Sequence, residues 1–160
     1  MAMSWVKGTT FTQEEARREI IAVSDYELVN YGVFLDTSVK DTVDWIFKGY
    51  YGYNNVELFY DISIEDIKRE LQKGNLVITP MNGQELRNSY YTQPGPLRHK
   101  VVIIGYDPDS KEFITNDPGT RMGKQYRYPE QVLFNAIHDY LTGNDLPLPP
   151  KRTAMIVVKK

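Results

Sequence analysis

The first half of the chain carries three helix signals, each a small hydroxyl residue followed three positions later by an acidic residue. Apolar residues at helical spacing come after each of them. The three pairs are Thr12 with Glu15, Ser38 with Asp41, and Ser63 with Asp66. We predict helices over residues 13–23, 38–49 and 63–74, the last two ending at a glycine, which is a common helix terminator.

After residue 74 the apolar residues occur in short runs separated by turn-forming residues, a pattern typical of β-strands. Such runs cover residues 76–79, 101–106, 112–116, 125–128 and 154–158. Between the last two runs, a proline and apolar residues at helical spacing predict a helix over residues 129–141. Helices that precede a mainly antiparallel group of strands predict an α+β fold.

Length and composition are those of an ordinary globular protein. The 160 residues suit a single domain over residues 1–160, and the net charge of −2 argues against a nucleic-acid partner. No apolar run approaches the ~20 residues that span a bilayer. The chain has no cysteine, which excludes disulfides and thiolate metal sites. No motif indicates a metal or another cofactor.

A predicted hairpin brings a histidine and an aspartate together. The turn-forming residues between the two strands favour a pairing of Tyr106 with Glu112. That register places Val101 opposite Asp117, with His99 as a diagonal neighbour on the same face. A shift of one residue would put the histidine and the aspartate on opposite faces, so the prediction depends on the turn.

An imidazole next to a carboxylate is the base half of a Cys-His-Asp catalytic arrangement. The histidine takes the thiol proton, and the carboxylate fixes the imidazole tautomer and stabilises the imidazolium. His99 and Asp117 are therefore candidate catalytic residues. The alternative is structural, because a histidine at a strand start is often unreactive and Asp-Pro-Gly is a common turn.

Other reactive groups are weaker candidates. Ser4 and Ser89 are possible nucleophiles, but neither lies in a Gly-x-Ser-x-Gly elbow. A metal site could be built from His99, Asp117 and His138, but the spacing matches no known ligand pattern. His138 lies off the apolar stripe of its predicted helix, and we expect it to be solvated.

Four segments of the chain resemble a known family. Gly-Pro-x-x-His ends at His99, and Asn-Asp-Pro-Gly-Thr includes Asp117. Together with residues 71–83 and 90–96, they are similar to stand-alone papain-like cysteine peptidase domains related to the bacteriocin-processing, double-glycine-leader peptidases. The similarity covers about residues 10–140. It implies a papain-like fold, with His99 as the catalytic base and Asp117 as the residue that orients it.

The beginning of the chain departs from the family pattern. The family carries its nucleophilic cysteine at the N-terminus of an early helix, with an oxyanion-hole glutamine a few residues before it, and both are absent here. Residues 1–5 resemble the latter half of that helix, with Gly8 ending it. We interpret the chain as an N-terminally truncated domain. Any targeting signal would then lie upstream of Met1, so the compartment stays open.

Three functional hypotheses follow. The first is a cysteine peptidase-like protein that acts on peptides or proteins and is inactive in this form because it lacks the nucleophile. The second is a non-catalytic peptide-binding or interaction module, with the proline- and tyrosine-rich loop 82–98 lining its groove. The third, a hydrolase or transferase with another nucleophile, has no convincing residue to support it. Truncation would expose apolar surface, so we expect a homodimer.

Overall fold

The computed structural model describes residues 1–143 and 147–160. The helices are α1 (Ala2–Lys7), α2 (Gln13–Tyr31), α3 (Val39–Asp41), which continues into a π-helix (Thr42–Tyr50), α4 (Ile64–Gln72) and α5 (Glu130–Ala136). The strands are β1 (Val56–Tyr60), β2 (Leu76–Met81), β3 (His99–Asp107), β4 (Glu112–Asn116), β5 (Tyr126–Pro129) and β6 (Ala154–Val158). The predicted α+β class is confirmed. Within these ranges, no helix is long and apolar enough to cross a membrane.

The strands form one antiparallel sheet in the order β1-β6-β2-β3-β4-β5. Each face of the sheet carries its own apolar cluster. Helices α4 and α5 contribute to one cluster, while α1, α3 and the π-helix contribute to the other. Strands β2 and β6 lie between the two clusters and are buried along their whole length. Burial on both sides explains why these strands read as continuous apolar runs.

The predicted helix starts are confirmed. The Thr12 hydroxyl accepts a hydrogen bond from the Glu15 amide, and the Glu15 carboxylate accepts one from the Thr12 amide. Ser63 and Asp66 form the same reciprocal cap at the start of α4. The predicted end of α2 at residue 23 is wrong, because the helix continues to Tyr31. The apolar stripe weakens after residue 23, but the first residue in the left-handed conformation that ends the helix is Gly32, with φ of 76°.

Strand β2 runs past its predicted end, through Pro80 to Met81. A proline can occupy a sheet only where its missing N–H is not needed. The Pro80 carbonyl accepts a hydrogen bond from the His138 amide, so the backbone polar groups of Pro80 point away from β3. Strand β6 lies on that side, but it pairs with β2 only over residues 76–78. The missing donor therefore costs no ladder hydrogen bond.

The predicted helix over residues 129–141 ends early, at Ala136. Ile137 adopts an extended conformation and forms a bridge with Met81. Tyr140 is buried even though it lies beyond the helix, while Leu141 is 61% exposed. The apolar spacing therefore predicted burial correctly at Ile137 and Tyr140 but not at Leu141, and it was wrong as a sign of helix after residue 136. Strand β1 was not predicted at all.

The hairpin of β3 and β4 differs from the predicted register at its turn and agrees with it at the other end. At the turn, Asp107 rather than Tyr106 pairs with Glu112. A β-bulge in the middle of β3 then accommodates one extra residue. Beyond the bulge, Val102 pairs with Asn116, which is the predicted register. The faces of the strands at the far end are therefore those that the sequence analysis expected.

Candidate active site

The structure brings His99 and Asp117 together. His99 is the first residue of β3 and Asp117 follows the last residue of β4, so both lie at the same end of the sheet. The His99 Nε2 atom is 2.7 Å from the Asp117 Oδ1 atom. The histidine side chain is 10% exposed and the aspartate side chain is 0% exposed. The hydrogen-bonded pair is thus almost fully buried, and only the imidazole keeps a small solvent-exposed area.

Two buried tyrosines hold the other oxygen of the carboxylate. The hydroxyls of Tyr91 and Tyr128 donate to Asp117 Oδ2 at 2.5 Å and 2.6 Å. The Gly119 amide donates to Oδ1 at 2.9 Å, so this oxygen also has two donors. Asn88 Nδ2 in turn donates to the Tyr128 hydroxyl at 2.7 Å. These four hydrogen-bond donors, including His99, hold the carboxylate in a single orientation.

This environment keeps Asp117 ionised. Burial alone would raise the pKa of the carboxyl group, but the hydrogen bonds from His99, Tyr128 and Tyr91 outweigh burial and lower the pKa to about 2. Burial, with the adjacent Asp117 charge, raises the pKa of both tyrosines, so both remain protonated donors.

The ionised carboxylate fixes the tautomer of the histidine. An ionised carboxylate only accepts hydrogen bonds, so His99 Nε2 must carry the proton in this pair. The neutral imidazole then presents a lone pair on Nδ1. Across residues 1–143 and 147–160, no side chain or backbone group forms a hydrogen bond with Nδ1. The ring is therefore arranged so that Nδ1 is the nitrogen available to accept a proton.

The low pKa of Asp117 predicts an acid-sensitive contribution to stability. Because the folded-state pKa lies below the ordinary 3.8, the stabilisation is present above about pH 4 and is lost as the pH falls toward 2. A difference of this size corresponds to about 2 kcal/mol. The carboxyl carbon of Asp117, followed by NMR through an acid titration, should show a midpoint near pH 2. A midpoint near the ordinary value would contradict the hydrogen-bond assignment.

Two glycines permit the close packing around the aspartate. A Cβ atom on Gly119 would lie 2.9 Å from His99 Cε1 and 2.9 Å from Tyr91 Cε1. A Cβ atom on Gly123 would lie 1.9 Å from the backbone oxygen of Asp117. The Gly123 carbonyl also accepts a hydrogen bond from the Asp117 amide at 2.9 Å. The loop after β4 is therefore closed tightly around the aspartate.

The other candidate residues do not join this pair. The Ser4 hydroxyl donates to the Thr9 carbonyl at 2.5 Å, and Ser89 is exposed in the loop before β3. The expectation that His138 is solvated is wrong. His138 lies beyond the end of α5, is 8% exposed, and donates from Nε2 to the Pro149 carbonyl at 2.8 Å. In the parts of the chain that the structure describes, no three histidine, aspartate or glutamate side chains cluster as a metal site would require.

The N-terminal end of α1 lies beside the loop that carries the aspartate. Met1 lines a cavity of about 380 Å³ together with Asn116, Asp117, Arg121 and Lys124. The helix itself runs from Ala2 and ends at Gly8, which has a φ of 63°. The expected helix before Gly8 is therefore present, and its start lies beside the loop that carries Asp117.

The site geometry is a buried imidazole–carboxylate hydrogen bond, with the start of α1 beside the loop that carries the aspartate. The profile of the Peptidase_C39-like family matches residues 1–142, and the chain belongs to this family. The family resemblance of the sequence is thereby confirmed. Among curated proteins, none matches the chain.

A solved structure shows a limited similarity. The crystal structure of a candidate C39-like peptidase from Bacillus anthracis is 20% identical in sequence, with a TM-score of 0.47. The match covers 71% of this chain and 57% of the Bacillus anthracis protein. The chain thus corresponds to little more than half the length of that protein.

Proposed function

We propose that this chain carries the base half of a cysteine peptidase site, with His99 as the general base and Asp117 as the residue that orients it. The observation that carries the proposal is the 2.7 Å contact between Nε2 and an ionised, fully buried carboxylate. Membership of the Peptidase_C39-like family makes a peptide bond the expected target. Since the chain contains no cysteine, we propose that it hydrolyses no peptide by a thiol mechanism on its own.

The chemistry assigned to His99 is that of a base that later becomes an acid. Nδ1 would take the proton of a cysteine thiol, and the thiolate would attack the peptide carbonyl carbon. The imidazolium would then protonate the leaving amine, which leaves an acyl-enzyme that water hydrolyses. Asp117 would stabilise the imidazolium without accepting its proton, in line with its low pKa.

The position of α1 supports the helix as the place for the nucleophile. A cysteine at a helix N-terminus is favoured as a thiolate, because the helix dipole and free backbone N–H groups stabilise negative charge. Met1, at the head of α1, shares a cavity with Asp117. A helical extension that precedes Met1 would therefore place a cysteine on the side of the aspartate loop.

The proposal can be tested by adding a helical extension before Met1. The chain is produced with a helical segment before Met1 that carries one cysteine, and variants place the cysteine at each of four successive positions. We expect at least one variant to cleave a fluorogenic peptide in a reaction that iodoacetamide stops. His99→Ala and a cysteine-to-serine change should each abolish cleavage, while Asp109→Asn, in an exposed turn, should not affect it. Cleavage that survives His99→Ala would refute the role of the base.

The chain without an added cysteine should show no thiol-dependent activity, and this is the second part of the test. We expect its mass to be unchanged after treatment with iodoacetamide and its peptidase activity to equal that of the His99→Ala variant. Thiol-dependent hydrolysis by the purified chain would contradict the proposal.

The absence of cysteine also favours a second candidate function, a non-catalytic peptide-binding module. Tyr90 in the loop before β3 is 54% exposed, and Tyr91 beside it contacts the His99 ring with centroids 5.6 Å apart. A bound peptide would then lie along this loop and contact the histidine. Fluorescence anisotropy with labelled peptides tests this function, and binding that weakens in His99→Ala, without hydrolysis in any extended variant, would favour it.

A further inference from the structure

A cavity of about 500 Å³ lies beneath helix α2, bounded by α1, the π-helix and strands β2 and β3. Its volume is within the range of small-molecule sites. The wall residues of α2 run from Ala16 to Ser24, which is about 12 Å at 1.5 Å per residue. Ile20 lines the cavity and is nevertheless 67% exposed, so part of this apolar wall is accessible from solvent. We call this space the α2 cavity.

Most of the wall of the α2 cavity is hydrocarbon. Ile78 and Val102 line it from the sheet, and Ile20 lines it from α2. Two of its hydroxyl residues already have acceptors in the chain. The Ser24 hydroxyl donates to the Ile20 carbonyl at 3.0 Å, and the Thr42 hydroxyl donates to the Ser38 carbonyl at 2.6 Å. A ligand in this cavity therefore meets an elongated apolar surface with few polar groups to satisfy.

One cation lines the α2 cavity without a counter-ion in contact. Lys100 Nζ donates to the Thr37 carbonyl and, at 3.2 Å, to the Tyr140 hydroxyl. An ammonium group has three N–H donors, so one of them has no acceptor within residues 1–143 and 147–160. Both acceptors are neutral, and the ammonium forms no ion pair with any residue in these two ranges.

More distant carboxyl groups do not compensate the charge of Lys100. Asp139, Glu27, Asp36 and Asp41 each raise its pKa, but burial outweighs them and lowers the pKa to about 8. Burial also raises the pKa of Glu27 and of Asp139, so the negative charge of these two groups is itself disfavoured. A carboxylate in direct contact with Lys100 would supply the missing counter-charge.

From this combination of an apolar wall and an uncompensated cation, we propose that the α2 cavity binds a long-chain aliphatic carboxylate. Its head accepts a hydrogen bond from Lys100 Nζ, and its tail follows α2 toward Ala16. Glu27 binds the Thr37 hydroxyl at 2.8 Å, so the Lys100 end of the cavity lies near residue 27. Glu19 is eight residues earlier in α2, about 12 Å away, so the head avoids this carboxylate. The proposal does not depend on the proposed function.

Isothermal titration calorimetry of the intact chain tests the ligand class, with each probe below its micelle-forming concentration. We expect dodecanoate to bind about 10-fold or more tightly than dodecanol, because a hydrogen bond to a charged group is added. Dodecylamine should bind more weakly than either, since its charge repels Lys100. From octanoate to decanoate to dodecanoate, each added pair of methylenes should tighten binding by about 10-fold.

Two pairs of variants test the two ends of the site. Lys100→Met should remove the preference for dodecanoate over dodecanol, while Lys111→Met, at an exposed lysine in the β3–β4 turn, should keep it. Ala16→Phe fills the tail end and should weaken dodecanoate binding at least about 10-fold. Ala22→Phe makes the same change in α2 at a residue that does not line the cavity, and should have little effect. Circular dichroism shows whether each variant stays folded.

The titration of Lys100 gives a readout that does not depend on affinity. Followed by NMR at its ε carbon, Lys100 should have a midpoint near pH 8 in the chain alone. Dodecanoate should raise this midpoint, because an adjacent anion favours the charged amine, and dodecanol should not.

The proposal is overturned if the intact chain binds dodecanol as tightly as dodecanoate or binds neither. It is also overturned if folded Lys100→Met keeps the preference for dodecanoate, or if folded Ala16→Phe binds dodecanoate as the unmodified chain does.

Discussion

The Asp117→Ala variant is expected to lose about 4 kcal/mol of unfolding free energy at pH 7. The change removes the common acceptor of four donors: His99 Nε2, the Tyr91 and Tyr128 hydroxyls, and the Gly119 amide. Each donor that is left buried without an acceptor costs about 1–3 kcal/mol, and water entering the space would recover part of the sum. Urea unfolding followed by circular dichroism measures the loss.

Asp109→Ala is the matched control for this variant. Asp109 is an exposed aspartate in the turn between β3 and β4. Its replacement should change the unfolding free energy by less than about 0.5 kcal/mol. A loss below 1 kcal/mol in Asp117→Ala would show that the four donors are satisfied without the carboxylate, and the site would then not be preorganised as described.

Replacing Gly123 by alanine is expected to destabilise the fold by about 3 kcal/mol, the upper end for an overpacked site. The new methyl group would lie 1.9 Å from the backbone oxygen of Asp117, and backbone cannot move aside as the end of a flexible side chain can. For a chain of this length, the loss corresponds to a decrease of about 8 °C in the melting temperature. Differential scanning calorimetry measures it.

Gly105→Ala serves as the comparison. Its added methyl group would meet Ile114 Cδ1 at 3.6 Å, an ordinary van der Waals contact. We expect a change in melting temperature of no more than about 2 °C there. Equal effects of the two substitutions would mean that the contact with the Asp117 backbone does not explain the Gly123 result.

The helix starts could be predicted from the sequence because they depend on local hydrogen bonds. The caps at Thr12 and Ser63 involve residues three positions apart, so the information lies within one helical turn. The helix ends were harder to predict. The end of α5 depends on Ile137 pairing with Met81, a contact between residues 56 positions apart, and nothing in the local pattern reports it.

The juxtaposition of His99 and Asp117 was predicted through a register that was wrong at the turn. With Asp107 paired to Glu112, a regular hairpin would have placed Val102 opposite Asp117 and the histidine on the other face. The bulge in β3 shifts the register back. Bulges depend on local packing, and the sequence carried no clear sign of this one beyond a glycine in the strand.

The two tyrosines of the site were not predicted. Tyr91 lies in the loop before β3 and Tyr128 in β5, and each contacts Asp117 through the fold and not through sequence proximity. Their residue type carries little information, since the chain has 12 tyrosines. They are buried, at 6% and 2% exposure, but so is Tyr140, and the burial of a loop residue cannot be predicted from periodicity.

The bulge in β3 makes the spacing between histidine and aspartate adjustable. Ile104 is the residue that the bulge adds, between Ile103 and Gly105. Here His99 and Asp117 are 18 positions apart. Deleting Ile104 would leave a regular hairpin with a spacing of 17 and would keep the two side chains on a common face. A relative that lacks the residue at position 104 would therefore keep the histidine and the aspartate on the same face.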